Sequence, residues 1–316
     1  MASSLVDKVV NKAILERKTR GFFGITKAER ENAESMASIS TDEFLLKCID
    51  SVKKVGMPLV SKFFVGVAAL AGSGNVIFGV NIEFPNLSIG HSIHAEQFMV
   101  AQLHHLKETE LITLAVNAPP CGHCRQFLKE LCGDQHQLRI IIGGEHGPLT
   151  TTLSALLPHS FGPNDLGKTE RILKHDREQR LVLSSPIISE SENLKLTADA
   201  ALKGANDAHA PYSRNPEGVA VVLRTGERFV GSTLESAAYN PTLPAAQGAV
   251  IQVVAAGQDI SSISAAVIVT CTTDVSRTSS TFSSAGLAEE LLKSISPLLD
   301  HFEVMEAKYC ICKHNE

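Results

Sequence analysis

The chain has 316 residues, a formal net charge of −5 and 5% aromatic residues, with no Trp and three Tyr. That length can bury a sizeable core, and more than one, since domains commonly run ~100–200 residues. The acidic balance weighs against a surface built for polymer phosphates, and the scarcity of aromatics against a stacking platform for single strands, so partners of low charge, such as small metabolites, fit better.

Residues 1–39 read as helical and charged, broken by Gly21-Phe22-Phe23-Gly24. Met1 to Arg20 mixes Lys and Arg with Asp7 and Glu16 and lacks a long apolar segment, which argues against a secretory signal. Ser40 and Glu43 have capping-box spacing, and Phe44, Leu45, Cys48, Ile49 and Val52 follow at helical period, so a globular unit is expected to start there. Residues 64–70 and 76–80 are β-prone runs joined by Gly72-Ser73-Gly74, a hairpin signal. Ala95, Phe98, Met99, Leu103 and Leu106 space out as the buried stripe of a helix, which also carries His104-His105 with one ring partly buried. Residues 111–116 form a continuous apolar run, as in a strand covered on both faces. Phe127, Leu128 and Leu131 mark a helix starting near Cys121, and residues 138–142 a further strand. Strands alternating with helices predict an α/β fold with helices covering the sheet.

Residues 158–195 are polar, with Pro163, Asn164 and Asp165, and read as loop and linker. After them the chain repeats itself. Gly66-Val67-Ala68 returns as Gly218-Val219-Ala220, and Gly79…Glu83 as Gly231…Glu235. Ile93-His94-Ala95-Glu96-Gln97 is matched by Leu243-Pro244-Ala245-Ala246-Gln247. The expected organisation is a helical segment over 1–40, a catalytic domain over 41–160, a linker over 161–190 and a degenerate, non-catalytic copy over 191–316.

The chemistry concentrates in His94-Ala95-Glu96 and Pro120-Cys121-Gly122-His123-Cys124. One imidazole, two thiolates and one free carboxylate are the parts needed to activate a water on zinc. Three protein ligands leave the fourth tetrahedral position open, which separates a catalytic from a structural site. The pattern His-x-Glu…Pro-Cys-x-x-Cys is a known signature of zinc-dependent nucleobase deaminases. Both clusters fall at expected helix N-termini, where the positive dipole end favours thiolate and carboxylate charge, and in an α/β sheet these turns are where ligands bind. Zinc is therefore the expected cofactor, with His94, Cys121 and Cys124 as ligands and Glu96 as the proton-transferring catalytic group. His123, lodged between the two cysteines, is sterically poor as a fourth ligand.

The second copy has Pro244 and Ala246 where the first has His94 and Glu96, and Cys271 stands alone after an expected strand over 266–269. Its glycines and apolar positions are expected to survive because they pack. The seven cysteines (48, 121, 124, 132, 271, 310 and 312) do not read as a disulfide framework, and a catalytic thiolate pair needs a reducing compartment. With no apolar run of ~18–20 residues, a soluble, cytoplasmic protein without a membrane partner is expected. Cys310-x-Cys312-x-His314 follows an expected strand over 302–309 and reads as a packed or exposed thiol pair, not a metal site.

His-Ala-Glu-Gln at 94–97 with Pro-Cys-Gly-His-Cys-Arg-Gln at 120–126 resembles the cytidine deaminase family, in the long two-domain form of some bacteria and plants. The likeness runs from about residue 41 to the C-terminus and includes Glu235-Ser236-Ala237-Ala238-Tyr239-Asn240-Pro241. It implies a three-layer α/β/α fold in each domain and a homodimer. It also implies hydrolytic deamination of cytidine and 2′-deoxycytidine in pyrimidine salvage, with one Zn2+ per chain in the first domain only. Asn81 and Glu83 match the family's Asn-x-Glu-Phe element, whose Asn and Glu hold the ribose 3′-hydroxyl; Phe63 matches the aromatic that packs on the pyrimidine. The main chain of Ala95 would meet the ring's polar edge, Arg125 and Gln126 would support the thiolates and the loop, and Phe161 resembles the aromatic given to the neighbouring subunit's site. Phe64 departs from the family, where a small or polar residue often follows the first aromatic. Two other functions share the metal motif: a polynucleotide cytosine deaminase, and an inactive paralogue serving as a binding or dimer partner. The Asn81/Glu83 pair suits a free sugar hydroxyl, so a nucleoside is the expected partner and nucleic acid is not.

Overall fold

Two mixed sheets with helices on their faces carry the chain. The computed structural model describes residues 2–131, 137–144, 147–174, 179–187, 191–271 and 284–310. Its contacts divide the molecule into two units, the first made of Met1–Lys174 with Ser236–Thr242 and Ala255–Gln258, the second of the remainder.

In the first unit the elements run α1 (Ala2–Arg20), β1 (Gly24–Ile25), α2 (Lys27–Ala37), α3 (Thr41–Val52), β2 (Gly66–Ala71), β3 (Val76–Val80), α4 (Ala95–His105), β4 (Leu111–Val116), α5 (Gly122–Leu128), β5 (Arg139–Ile142), β6 (Leu149–Thr152) and α6 (Leu153–Leu156). The sheet order is β1-β3-β2-β4-β5-β6. Only β4 and β5 pair in parallel. The Ser40/Glu43 capping box forms as its spacing predicts, each residue's side chain meeting the other's main-chain N–H.

Two glycines show where the helices sit. A Cβ on Gly66 would meet Lys53 at 2.9 Å, just past α3, whereas one on Gly79 would lie 2.2 Å from the Ala95 carbonyl at the start of α4. Gly79 pairs with Val67, the neighbour of Gly66. Successive strand residues face opposite ways, so α3 and α4 cover opposite faces of the sheet, giving three layers. The direct backbone contact at Gly79 fixes how closely the first turn of α4 approaches β3.

The N-terminal segment is more than a charged helical appendage. Phe23, inside the expected break, is fully buried, edge-to-face with Phe78 at 5.4 Å and Phe98 at 6.0 Å between ring centroids. The two residues after it form β1, antiparallel to β3, which covers that strand's edge. Val6, Val10 and Ala13 of α1 are also buried, so the unit starts well before Ser40. The segment is further tied by Arg20, which donates to Glu29 Oε2 at 2.7 Å and to Glu16 Oε2 at 3.0 Å.

The Arg20 guanidinium, aided by the Thr26 hydroxyl and N–H, holds the Glu29 carboxyl at about 2, below the ordinary value of 4.5. A depressed carboxyl contributes stability that is complete above the unfolded-state value and is lost as pH falls through the folded one. Glu29→Gln is therefore expected to lower the Tm at neutral pH, and the gap from wild type should close as pH falls from about 4.5 towards 2. Thermal melts at several pH values check this; a gap that is constant with pH removes the ion pair from the account.

The second unit runs β7 (Leu181–Leu183), α7 (Glu192–Asn206), β8 (Glu217–Leu223), β9 (Arg228–Ser232), α8 (Ala245–Ala255), β10 (Ile263–Cys271), α9 (Ser284–Ile295) and β11 (His301–Tyr309), with sheet order β7-β11-β10-β8-β9. β10 and β11 are parallel, as β4 and β5 are in the first unit. The stretch read as a linker over 161–190 contains β7, an alternating Leu-Val-Leu triplet whose first residue is buried against the second unit's core and which pairs with β11. Cys312 and His314 lie outside the described residues; Cys310 is exposed. Among the described residues no helix is long and apolar enough to cross a membrane.

The duplication extends to individual hydrogen bonds. Met57 N–H donates to the Asn81 carbonyl and His209 N–H to the Thr233 carbonyl, both at 2.9 Å. Glu83 N–H returns to the Met57 carbonyl at 2.9 Å, and Glu235 N–H to that of His209 at 2.8 Å. A Cβ on Gly231 would stand 2.2 Å from the Ala245 carbonyl, the same close approach that Gly79 makes to Ala95. The expectation that the copy keeps its glycines for packing is met at the atomic level. The loop after β9 belongs by its contacts to the first unit, where Ala237 N–H donates to Glu130 Oε1 at 2.7 Å and Gln97 Nε2 to the Pro241 carbonyl at 3.2 Å.

Candidate active site

Two helix starts in the first unit present the donor atoms. His94 is the N-cap of α4, with its main-chain N–H donating to Gln97 Oε1 at 3.2 Å. Cys121 is the N-cap of α5, and Cys124 follows one turn later, fully buried. His94 Nδ1 lies 3.6 Å from Cys121 Sγ and 3.3 Å from Cys124 Sγ, and the two sulfurs are 3.6 Å apart.

These separations suit a tetrahedral ion. Zinc–sulfur bonds of ~2.3 Å and zinc–nitrogen bonds of ~2.0–2.1 Å make tetrahedral edges of about 3.8 Å between sulfurs and about 3.6 Å from sulfur to nitrogen. Among the described residues this is the one cluster of three or more His, Cys, Asp or Glu donors fit to hold a metal. The donor set, one imidazole with two thiols, is also the chemistry zinc prefers.

Hydrogen bonds from Cys124 and His94 pull Cys121 down to about 3, while the thiolate beside it and burial push Cys124 up. Glu96, in the first turn of α4, is buried, and burial raises its pKa above the ordinary glutamate value. It lies within hydrogen-bonding reach of the Cys124 side chain. Ala95, between His94 and Glu96 in sequence, is buried against Gly79.

A second group of residues lies around the segment ahead of β2. Glu83 Oε2 accepts from Val60 N–H at 2.9 Å and Ser61 N–H at 2.7 Å, and Oε1 accepts from Ser61 Oγ at 2.6 Å. Partial burial pushes this carboxyl up, but the three donors outweigh it and its pKa is lowered. Asn81 is buried and holds the segment from one side, donating to the Phe63 carbonyl at 2.9 Å and accepting from Val65 N–H at 3.0 Å. Asn117 holds it from the other, donating to the Phe64 carbonyl at 3.0 Å and accepting from Gly66 N–H at 2.8 Å. The backbone is thereby fixed where two apolar rings face outward: Phe63 is 57% exposed and Phe64 43%. Neither ring is core, which removes the ordinary packing explanation for Phe63.

Arg125 donates to the Pro120 carbonyl at 2.7 Å and to that of Leu156 at 2.9 Å, bracing the loop that leads into Cys121. Gln126 Nε2 donates to the Phe161 carbonyl at 2.8 Å, while the Phe161 ring is 45% exposed. Sequence reasoning did not single out Ser61 or Asn117. Their bonds reach Glu83 and residues 64–66 across the fold, and no local periodicity records such reach.

Two family models, both described as the cytidine and deoxycytidylate deaminase zinc-binding region, match residues 39–138 and 153–281. Cytidine deaminase 1 of Arabidopsis thaliana is 38% identical over 249 residues, covering 74% of this chain and 82% of that protein. A cytidine deaminase of Proteus mirabilis is 34% identical over 243 residues, covering 77% of this chain and 78% of that protein. The solved structure of a cytidine deaminase from Mycobacterium tuberculosis is 32% identical, covering 39% of this chain and 98% of that one, at a TM-score of 0.34. The duplicated α/β fold and its donor set thus define a zinc-binding deaminase, a hydrolase acting on a C–N bond. The chain belongs to the cytidine deaminase family.

Proposed function

We propose that the chain hydrolyses cytidine and 2′-deoxycytidine to uridine and 2′-deoxyuridine with release of ammonia, as pyrimidine salvage requires. The observation that carries this reading is the convergence of His94, Cys121 and Cys124 at tetrahedral spacing, with buried Glu96 beside them. Zinc, when bound, lowers the pKa of a coordinated water to ~7 and so supplies a nucleophile at neutral pH. Glu96 takes one proton from the attacking water and delivers it to the pyrimidine ring nitrogen, then passes the remaining proton of the new C4 hydroxyl to the leaving amine, so that both water protons are used and ammonia departs as the C4–N bond breaks. Its raised pKa suits a group that must both accept and give up that proton. Phe63 supplies the apolar face for the base, and the main chain of Ala95 a polar edge.

Asn81 and Glu83 meet the ribose 3′-hydroxyl. After its two bonds to the segment ahead of β2, Asn81 retains one amide N–H and one lone pair for a ligand. Loss of ultraviolet absorbance on incubation with either nucleoside tests the function directly; zinc-loaded protein that leaves both untouched ends this reading. Glu83→Gln is expected to lower kcat/KM for cytidine about 10- to 100-fold, the worth of a hydrogen bond to a charged group. A polynucleotide offers no free 3′-hydroxyl within the strand, so a polymer deaminase would lose little. Comparing both substrates on the variant separates the two.

The metal is assigned to the first unit alone, because Pro244 and Ala246 replace the ligand and the acid in the second. Thiols outside any disulfide at Cys48, Cys121, Cys124 and Cys271 suit a reducing compartment such as the cytoplasm. Two chains pair, and Phe161, anchored by Gln126 with its ring outward, completes the neighbour's pocket. Sedimentation showing only monomer at micromolar concentration contradicts that arrangement.

A further inference from the structure

His123 lies between two ligands in sequence, yet its nitrogens are not among the clustered donor atoms. Its ring is instead parallel to that of His94, with centroids 5.0 Å apart and planes inclined by 4°. That separation is typical of an offset stack of aromatic rings. The Nε2 of His123 is buried and has no hydrogen-bond partner among the described residues, so that atom does not hold the ring in place.

The stack falls where the metal centre needs support. The N-cap bond from His94 to Gln97 fixes the backbone of His94, but its imidazole still turns about χ2, a broad torsion. A metal-ligating histidine is ordinarily held by its second nitrogen donating to a carboxylate, a carbonyl or water. Among the described residues no carboxylate or carbonyl accepts from His94 Nε2. His94 Nδ1 nonetheless points at both sulfurs, at 3.3 and 3.6 Å.

We propose that His123 is a positioning residue of the metal centre, fixing the plane of the His94 ring by stacking on it and so keeping Nδ1 aimed at the two thiols. This role rests on the zinc reading above. His123 stands on the first turn of α5 together with Cys121 and Cys124. One short piece of backbone therefore sets the two sulfurs directly and the nitrogen through the stack. A flat ring at position 123 is what this function requires; the ring's nitrogens are dispensable.

The test compares the full-length wild type with His123→Phe, which keeps a flat ring, and His123→Leu, which fills space without one. Each is loaded with zinc and separately with cobalt(II). Three readouts are taken: the rate of zinc transfer to a chelating dye, the visible cobalt spectrum, and kcat with KM. His123→Leu is expected to release zinc about 10- to 100-fold faster, the range for residues that orient a metal-bound histidine. It should also shift the cobalt spectrum and lower kcat more than it raises KM. His123→Phe should stay close to wild type in all three. Zinc release and cobalt spectrum unchanged in His123→Leu would overturn the proposal. So would His123→Phe behaving as badly as His123→Leu, which would assign the effect to a ring nitrogen. A wild-type chain that takes up no metal overturns the centre itself, and is told apart from the other failures by its empty control.

Discussion

Glu96→Ala is expected to give a folded, zinc-loaded protein that no longer releases ammonia from cytidine. The side chain is buried at the first turn of α4, and burial already disfavours its charged form, so its removal relieves a desolvation cost and leaves the three donors in place. What disappears is the group that moves the protons in the proposed mechanism. General acid–base catalysis contributes about 10²- to 10⁴-fold, and a residue acting at more than one proton transfer belongs at the upper end. Metal analysis beside the ultraviolet assay checks both halves. Turnover within tenfold of wild type would remove Glu96 from the mechanism, whereas loss of zinc would recast it as a structural support.

Gly79→Ala and Gly231→Ala should give the same damage to folding and opposite outcomes for chemistry. At each position an added methyl would collide with a helix-start carbonyl at 2.2 Å, backbone that cannot rotate aside. Overpacking of this kind costs about 1–3 kcal/mol, and more where the obstacle is rigid. At Gly79 the displaced atoms belong to Ala95, between His94 and Glu96, and a shift of about 1 Å there can lower the rate about 10²-fold. At Gly231 the displaced helix carries Pro244 and Ala246, which do no chemistry in the proposed mechanism. Denaturant melts, zinc content and kcat per folded molecule form the comparison. Equal loss of kcat in both variants would contradict a single site in the first unit.

Much of this was legible where the signal is local. The capping box at Ser40 and the helix starts at His94 and Cys121 are each written within a few residues, and the repeat shows because such short local motifs recur in the same order. What escaped depends on partners far along the chain. Phe23 sits between glycines and reads as a break; its burial against Phe78 and Phe98 exists only once β3 and α4 are in place. Leu181–Leu183 is too short to stand out from polar surroundings, and becomes a strand because β11 is there to pair with it. Asn117 follows an ordinary apolar strand, and its bonds to residues 64–66 span 51 positions or more. The order of donors was readable, but the direction of the His123 ring was not, because spacing gives a residue's place on a helix and not its χ angles.

The paired hydrogen bonds of the two units amount to an internal control on what chemistry demands and what folding demands. In the second unit Glu235 Oε2 accepts from Tyr212 N–H at 2.9 Å and Ser213 N–H at 3.2 Å, the same arrangement Glu83 makes with Val60 and Ser61. The copy without the ligand histidine and the acid has kept this carboxylate. Glu83 is thus a turn-forming group in its own right, and in the proposed mechanism the pocket would recruit for recognition a residue the backbone holds in place with no nucleoside to bind.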